Sequence, residues 1–445
     1  MSLEFKKIEV NSIQEMLPFY AMRHNMTCDS VFLESYVWKD YYNVRYAIWE
    51  NKALLWLMEN EGRCFSAMPL CREEDLPGAF AAIEEYFNEE LGYPLVINLA
   101  DEYAVKYLNL PEDKYLVEEQ LGPMLIGQDP TEIEKHWNTM YWRTIAHGRR
   151  SMTMGAMSGI DIALWDLLGK AAHMPVCKLL GQHLDRVPSY ASGGFYAPGK
   201  DLHKLEEELE HYKDQGYRDM KIKIGRTLER SNAPLTYMAN QACAVSVEED
   251  YKRIEVAKQI VGSGKLLVDT NASWDAQTAL SFAPELARLG VAWLEEPIPF
   301  EDIEGMKKLN AAVPQLHVIG CETQQGMKNF QHMAQEDAIS IVQPDVGWAG
   351  GITECRKIGA MAQAMSKPIS LHCFGSAVLF AASLHLAAAL PNTEMMESEE
   401  NPNPLKTDIM KGSFETDSQM SFFVPEGDGL GVDLDWSKME KYVIK

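Results

Sequence analysis

Charged side chains recur at the ends of successive strand-like segments in the second half of the chain. Lys221 and Lys223 are two residues apart, so on a strand they point to the same face. Later segments end in acids or a histidine, with successive separations of 26, 27, 23, 27 and 25 residues, at Asp269, Glu295, Glu322, Asp345, His372 and Glu397. Each interval is about one strand plus one helix, so we expect these residues to meet at one rim.

The acids in this series predict a metal site. Asp269, Glu295 and Glu322 offer hard oxygen ligands without Cys or His spacing, which suits octahedral Mg²⁺ better than zinc. Two lysines and a divalent ion would outweigh these three negative charges, so the site would attract a carboxylate substrate. A single acid after a strand is usually a helix cap or turn residue, and paired lysines can simply solubilise an edge strand. Their joint recurrence favours a site.

This combination predicts removal of a proton next to a carboxylate. A divalent ion stabilises the enediolate that forms, and a lysine whose pKa is lowered near a cation can accept the proton. His372 could serve as a second acid or base, with Asp345 orienting its ring.

The hydrophobic pattern indicates which elements would position these residues. From Val187 onward, segments of helical spacing alternate with eight short apolar segments, VPSYAS, MKIKI, KLLVDTN, AWLEEP, HVIGCE, SIVQPD, ISLHC and TEMMES. Eight strands alternating with helices favour a closed α/β barrel, whose active site lies at the C-terminal strand ends. An open doubly wound sheet is the alternative, but no GxGxxG motif follows any of these strands.

Length and composition exclude several classes of protein. The 445 residues, 46% apolar and 24% charged, predict two or three globular domains. A net charge of −24 argues against nucleic-acid and anionic-membrane partners. The longest apolar stretch, 377–390, is shorter than the roughly 20 residues needed to span a bilayer. The absence of a CxxC pair and of a signal-peptide pattern favours a cytoplasmic location. We further expect a homo-oligomer that acts on a small-molecule carboxylate.

A string of motifs in fixed order carries a family resemblance. The runs KIKIG, VDTNASW, WLEEP, GCE, QPDVGWAGGIT and LHCFGSA follow one another in residues 117–445. This part of the chain resembles the mandelate racemase and muconate lactonizing enzyme branch of the enolase superfamily. The resemblance implies a modified TIM barrel, (β/α)₇β, with a capping domain, and Mg²⁺ bound by Asp269, Glu295 and Glu322.

The resemblance also implies roles for the remaining residues of the rim. Lys223 would be a base and Lys221 its electrostatic partner, which also contacts the substrate carboxylate. Asp345 and His372 would form the opposing acid or base. Glu397 would hydrogen-bond the enediolate oxygen.

A lysine base on the second strand with a histidine on the seventh is similar to the acid-sugar dehydratases. The resemblance therefore predicts a lyase that dehydrates an aldonate or aldarate, through an enediolate, to a 2-keto-3-deoxy acid. Racemisation or epimerisation of a 2-hydroxy acid is the alternative. Asn271 and Arg226 are further candidates for substrate binding.

The domain organisation predicted is an α+β segment, a helical part of a capping domain, a catalytic barrel and a C-terminal segment that returns to the cap, over residues 1–116, 117–185, 186–400 and 401–445. The first segment contains a hairpin pattern, YNVRYAIWENKALLWLM, and a helix from about Glu73 to Glu90 closed by Gly92.

Residues 1–116 differ from the family pattern. They lack its Gly-Trp-Gly-Glu-like turn, and SVFLESYVWKDYYNVRYAI weakly resembles an acetyltransferase-like domain of the phosphatidylglycerol lysyltransferase kind. Two alternatives follow from this difference: a catalytically impaired barrel, and an N-terminal acyl-transfer or binding module.

Overall fold

The contacts within the chain divide it into two units, residues 1–123 and 124–445. The structure is a computed structural model that describes residues 3–9, 11–20, 22, 39–40, 43–60, 63–92, 94–97, 107–108, 120–148, 151–226 and 246–442. Because the second unit begins at residue 124, most of 117–185, where helices are predicted, lies in the same unit as the predicted barrel, 186–400.

The first unit is built on a small antiparallel sheet. Its strands lie in the order β1-β2-β3-β4, with β5 also paired to β3. The unit comprises β1 Lys6–Lys7, α1 Ser12–Tyr20, β2 Arg45–Trp49, β3 Ala53–Asn60, β4 Arg63–Phe65, β5 Leu70–Cys71 and α2 Leu76–Glu85. Leu55, Ile83 and Phe87 lie in the core between sheet and helix.

Both sequence predictions for the described part of this unit are confirmed. Strands β2 and β3 form the predicted hairpin, with Trp49 opposite Ala53 and a positive φ at Asn51 in the turn. Helix α2 continues as a π-helical turn and ends at Gly92, whose φ of 78° suits a glycine.

The second unit is a closed barrel of eight parallel strands, which confirms the predicted fold class. The strands are β7 Ser189–Gly193, β8 Met220–Lys223, β9 Leu266–Asp269, β10 Val291–Glu295, β11 His317–Gly320, β12 Ile341–Val342, β13 Ile369–Leu371 and β14 Thr393–Glu399. The helices between them are α6 Leu202–Gln215, α7 Val247–Val261, α8 Ala276–Arg288, α9 Ile303–Ala312, α10 Met327–Gln335, α11 Gly351–Ala364 and α12 Ala377–Ala389. Seven strand–helix pairs followed by an eighth strand correspond to (β/α)₇β.

Strand order decides which residues face one another across the barrel. The closed order is β10-β11-β12-β13-β14-β7-β8-β9. Strand β8 is therefore four strands from β12 in either direction, and β9 is likewise opposite β13. Residues at the C-terminal ends of β8 and β12 therefore lie on opposite sides of the barrel opening, which we call the mouth, and so do residues at the C-terminal ends of β9 and β13.

Additional helices pack on the outside of the barrel unit. They are α3 Ile133–Arg143, α4 Met152–Ala172 and α5 Val176–Leu180, which precede the barrel, and α13 Pro404–Thr407 and α14 Trp436–Met439, which follow it. The C-terminal segment returns to the start of the barrel, where β15 Phe422–Phe423 pairs with β6 Arg186–Val187. It also reaches the preceding helices, because Gly429 O accepts a hydrogen bond from Val176 N. Among the described residues, no helix combines the length and apolarity needed to cross a bilayer.

Candidate active site

The strand register brings the predicted charged residues together at the barrel mouth. Lys223 lies opposite Asp269 in the β8–β9 ladder, and Asp269 lies opposite Glu295 in the β9–β10 ladder. An isolated bridge joins Asp345 to His372 just beyond β12 and β13.

Three carboxylates form the centre of this mouth. One oxygen from each of Asp269, Glu295 and Glu322 lies within 4.8 Å of the other two. Asp269 and Glu295 are fully buried. Burial raises the pKa of Glu295 well above its usual range, and the negative charges of Asp269 and Glu397 add to this against the opposing effect of Lys221. Because all three donors are carboxylates, the cluster is chemically suited to a hard divalent cation, with which a proton on Glu295 would compete.

Lys221 lies beneath this cluster and neutralises part of its charge. Its Nζ is 2.6 Å from Glu295 Oε1, 2.7 Å from Glu397 Oε1 and 4.0 Å from Asp269 Oδ2. Burial alone would lower the pKa of Lys221, but Glu295 and Glu397 outweigh it and hold the pKa well above the usual range. Lys221 therefore carries a permanent positive charge.

Lys223 ends β8, the strand that also carries Lys221, and it forms an ion pair with Asp269 at the end of β9. Both side chains are buried. Burial would lower the pKa of Lys223, but the charge of Asp269 raises it further than burial and Lys221 lower it. The nearest charged partner of Lys223 is thus an anion, and a lysine pKa lowered by a nearby cation stays a prediction.

His372 bridges three carboxylates. Its Nδ1 is 2.6 Å from Asp345 Oδ2, and its Nε2 is 3.1 Å from Glu322 Oε2 and 3.5 Å from Glu397 Oε2. Burial lowers the pKa of His372, but Glu322, Glu397 and the hydrogen bond that the ring donates to Asp345 raise it to about 10. The ring is an imidazolium at neutral pH, which is the form that can donate a proton.

Two proton-carrying pairs thus face each other across the mouth. We call Lys223 with Asp269 the lysine side, on β8 and β9, and Asp345 with His372 the histidine side, after β12 and β13. These strand pairs lie opposite each other in the closed order. A small molecule held at the carboxylate cluster would have one proton carrier on each flank.

Asn271 and Arg226, predicted as substrate contacts, lie beside Asp269. Arg226 Nη2 donates to Asn271 Oδ1 at 3.0 Å, and Asn271 Nδ2 donates to Asp269 Oδ2 at 3.1 Å. The backbone N of Asn271 donates to Asp269 Oδ1 at 2.7 Å. These contacts orient a carboxylate of the cluster, and direct binding of substrate by either residue stays a prediction.

Sequence reasoning missed two residues of the site. Gln343 Nε2 donates to Glu295 Oε2 at 2.8 Å, and its position two residues before Asp345 was a signal that it shares the inner face. Glu296 is buried and accepts a hydrogen bond from Thr323 Oγ1 at 2.9 Å. Burial, with Glu322 and Asp269 nearby, raises the pKa of Glu296 to about 8. Nothing local in the sequence signals that adjacent glutamates are both buried.

Comparison with known families identifies two matched regions. Residues 204–438, more than half of the chain, match the enolase C-terminal domain-like family. Residues 110–181 match the N-terminal domain of the mandelate racemase / muconate lactonizing enzyme family.

Individual relatives cover most of the chain. Arabinonate dehydratase from Saccharolobus solfataricus is 35% identical over 74% of this chain and 83% of its own length. D-galactarolactone cycloisomerase from Agrobacterium fabrum is 29% identical over 72% of this chain and 82% of its own. Among solved structures, a putative mandelate racemase from Bordetella bronchiseptica RB50 superposes with a TM-score of 0.67 at 28% identity, covering 88% of this chain and 87% of its own.

The predicted acetyltransferase-like character of residues 1–116 is not borne out. The likeness to the Bordetella structure covers 88% of the chain, whereas residues 117–445 make up about three quarters, so it extends into the first unit. Residues 30–38, 41 and 42, which carry most of the quoted motif, lie outside the described residues.

Proposed function

This chain belongs to the mandelate racemase and muconate lactonizing enzyme branch of the enolase superfamily, and we propose that it is a Mg²⁺-dependent dehydratase of a sugar acid. The observation that carries the proposal is the placement of a lysine–aspartate pair and a histidine–aspartate pair on opposite sides of three clustered carboxylates. The similarity to arabinonate dehydratase supports a sugar acid as substrate class.

The metal would be held by Asp269, Glu295 and Glu322. All three donors are carboxylates whose oxygens lie close enough to share one ion, and they include no thiolate or imidazole. Mg²⁺, when bound, would stabilise negative charge that develops on the substrate carboxylate.

On the lysine side, Lys223 removes the proton from C2 of the substrate. It can do so once the charge of Asp269 is directed to the cation site, because Asp269 is what raises the lysine pKa. Lys221, with its strongly raised pKa, keeps its proton and attracts the substrate carboxylate. Glu397, next to Lys221, would have to carry a proton to hydrogen-bond the enediolate oxygen, because its carboxylate form can only accept.

On the histidine side, His372 delivers a proton to the leaving hydroxyl at C3. The electron pair released at C2 forms the C2–C3 double bond as the C3–O bond breaks, and the hydroxyl leaves as water with the proton from His372. The resulting enol tautomerises to a 2-keto-3-deoxy acid. Asp345 holds the ring through Nδ1 and leaves Nε2 facing the cluster.

Isomerisation is the second candidate. If the substrate has no hydroxyl that can leave, His372 can instead return a proton to carbon, which inverts the centre. The similarity to a cycloisomerase also fits this outcome.

The test is turnover of a panel of aldonic and aldaric acids with Mg²⁺ in deuterated water, followed by trapping of 2-keto acids. We expect keto product from the native enzyme and none from Lys223→Ala or His372→Asn. His317→Asn is a matched control, because His317 is exposed at the start of β11, at the opposite end of the strands.

The readouts separate the candidates. Deuterium entering C2 without keto product would assign isomerisation. Absence of both deuterium exchange and keto product across the panel would contradict the proposed function.

A further inference from the structure

Helix α4 holds the loop that carries Asp345. Ser158, Asp161 and Trp165 are spaced three and four residues apart on this helix and so share one face. Gly350 N donates to Ser158 Oγ at 3.0 Å, and Thr353 N donates to Asp161 Oδ2 at 2.9 Å.

A third hydrogen bond completes this contact. Trp165 Nε1 donates to Thr353 Oγ1 at 2.9 Å, so both the backbone and the side chain of Thr353 are held by α4. The helix therefore fixes the end of the loop at the first turn of α11.

The other end of the same loop is Asp345 itself. Asp345 Oδ1 accepts from Gly347 N at 2.6 Å, and its backbone O accepts from Ala349 N at 2.7 Å. The tight turn leaves Asp345 Oδ2 for His372. Residues 345–353 are thus anchored by the histidine at one end and by α4 at the other, so a shift at the α4 end moves the aspartate.

Asp161 is an unusual residue for its surroundings. It is fully buried on the α4 face that packs on α11, and its Oδ1 has no hydrogen-bond partner among the described residues. A buried carboxylate that is only partly hydrogen-bonded costs stability. The N-terminus of α11 favours negative charge at this point, which offsets part of the cost.

The loop 345–353 also approaches helix α4 closely at Asp161. Gly351 has a φ of 80°, and a Cβ there would overlap the Asp161 carboxylate. The loop therefore rests directly on Asp161, and no bulkier residue at 351 fits the same path.

From these contacts we propose that Asp161 is a positioning residue for the histidine side. It holds the loop 345–353 and thereby the orientation of Asp345 and of the His372 ring. The lysine side lies on the opposite strands of the barrel, so Asp161 acts on one half of the proton-transfer machinery. This inference rests on the proposed function.

The experiment compares Asp161→Ala with Asp161→Asn in the Mg²⁺-loaded enzyme. Two rates are measured on one substrate: deuterium exchange at C2, which needs the lysine side, and keto-acid formation, which also needs His372. For Asp161→Ala we expect dehydration to fall by about 10- to 100-fold, as is typical when a supporting contact of a reactive group is lost. Exchange and Mg²⁺ affinity should stay within about threefold of the native values.

The conservative variant and a control complete the design. Asp161→Asn retains an oxygen acceptor for Thr353 N, so it should restore most of the dehydration rate. Asp302→Ala removes a similar side-chain bond to the first turn of α9, at Gly305 N, on a different strand–helix unit. We expect it to leave the ratio of exchange to dehydration unchanged.

A spectroscopic readout separates failure of this inference from failure of the proposed function. The Nδ1 proton shared by His372 and Asp345 should give a low-field proton NMR resonance that Asp161→Ala shifts or broadens and Asp302→Ala does not. An unchanged resonance, or equal losses in exchange and dehydration, would overturn the inference even if the native enzyme is an active dehydratase. If Asp161→Ala does not fold, Trp165→Phe, which removes the bond to Thr353 Oγ1, should shift the same ratio in the same direction, and an unchanged ratio there overturns the inference.

Discussion

Lys221→Met should destabilise the metal-free protein more than other lysine substitutions. The variant removes the ammonium that lies 2.6 Å from Glu295 and 2.7 Å from Glu397, while the surrounding side chains stay buried. Met is of similar length and apolar, so the loss of charge dominates over the loss of packing.

The expected loss of unfolding free energy in Lys221→Met can be worked out from the pKa of Glu397. Burial raises its pKa, but Lys221 and then His372 outweigh burial and lower it from 4.5 to about 2. At about 1.4 kcal/mol per pH unit, this net shift corresponds to about 3 kcal/mol of stability at pH 7, and Lys221 makes the largest favourable contribution to it, ahead of His372 and Lys223. Breaking a buried ion pair by removing one partner costs about 3–5 kcal/mol in general, so we expect a loss in that range.

The sign of the pH dependence is also defined. The folded-state pKa of Glu397 is depressed, so its stabilising contribution is complete above pH 4.5 and is lost as pH falls towards 2. The stability difference between native and variant protein should therefore be largest near neutral pH and narrow below about pH 4.5.

The assay is urea unfolding in the presence of a chelator, followed by tryptophan fluorescence. Lys265→Met is the matched control, because Lys265 pairs with Glu394 but is partly exposed, where such pairs contribute about 0–1 kcal/mol. Excess Mg²⁺ should stabilise Lys221→Met more than the native protein, since a cation near Glu295 replaces part of the lost charge. A loss for Lys221→Met no larger than that of the control would refute the role given to Lys221.

Further outcomes are expected at the same site. Lys223→Ala and His372→Asn should each abolish keto-acid formation with Mg²⁺ affinity retained, as measured by calorimetry, since neither is a candidate ligand; loss of metal binding in both would contradict their roles. Asp269→Asn should weaken Mg²⁺ binding by at least about tenfold, and an unchanged affinity would remove Asp269 from the ligand set. Mg²⁺ affinity should fall as pH falls, because the raised pKa of Glu295 lets a proton compete with the ion, and a flat pH profile would contradict that competition.

Much of the fold was predictable because its signals are local. Strand alternation sets the face of each side chain within a few residues, as for Lys221 and Lys223, and the strand–helix repeat sets the spacing of the acids. Those two regularities were enough to predict the eight-stranded barrel and the meeting of Asp269, Glu295 and Glu322 at its rim. The hairpin β2–β3 and the helix closed by Gly92 were predictable for the same reason.

The partners within the site were decided by tertiary structure. The sequence grouped Lys221 with Lys223, whereas closure of the barrel places Lys221 between Glu295 and Glu397 and Lys223 beside Asp269. These anions raise the pKa of both lysines.

The sequence alone thus determined the elements, the inward faces and the identity of the charged groups, because these depend on neighbours in the chain. The three-dimensional fold alone determined the ion-pair partners of Lys221, the burial of Glu296 and the hold of Asp161 on the loop of Asp345. The charge state of a buried group and the orientation of its side chain depend on atoms of residues that lie far away in the sequence.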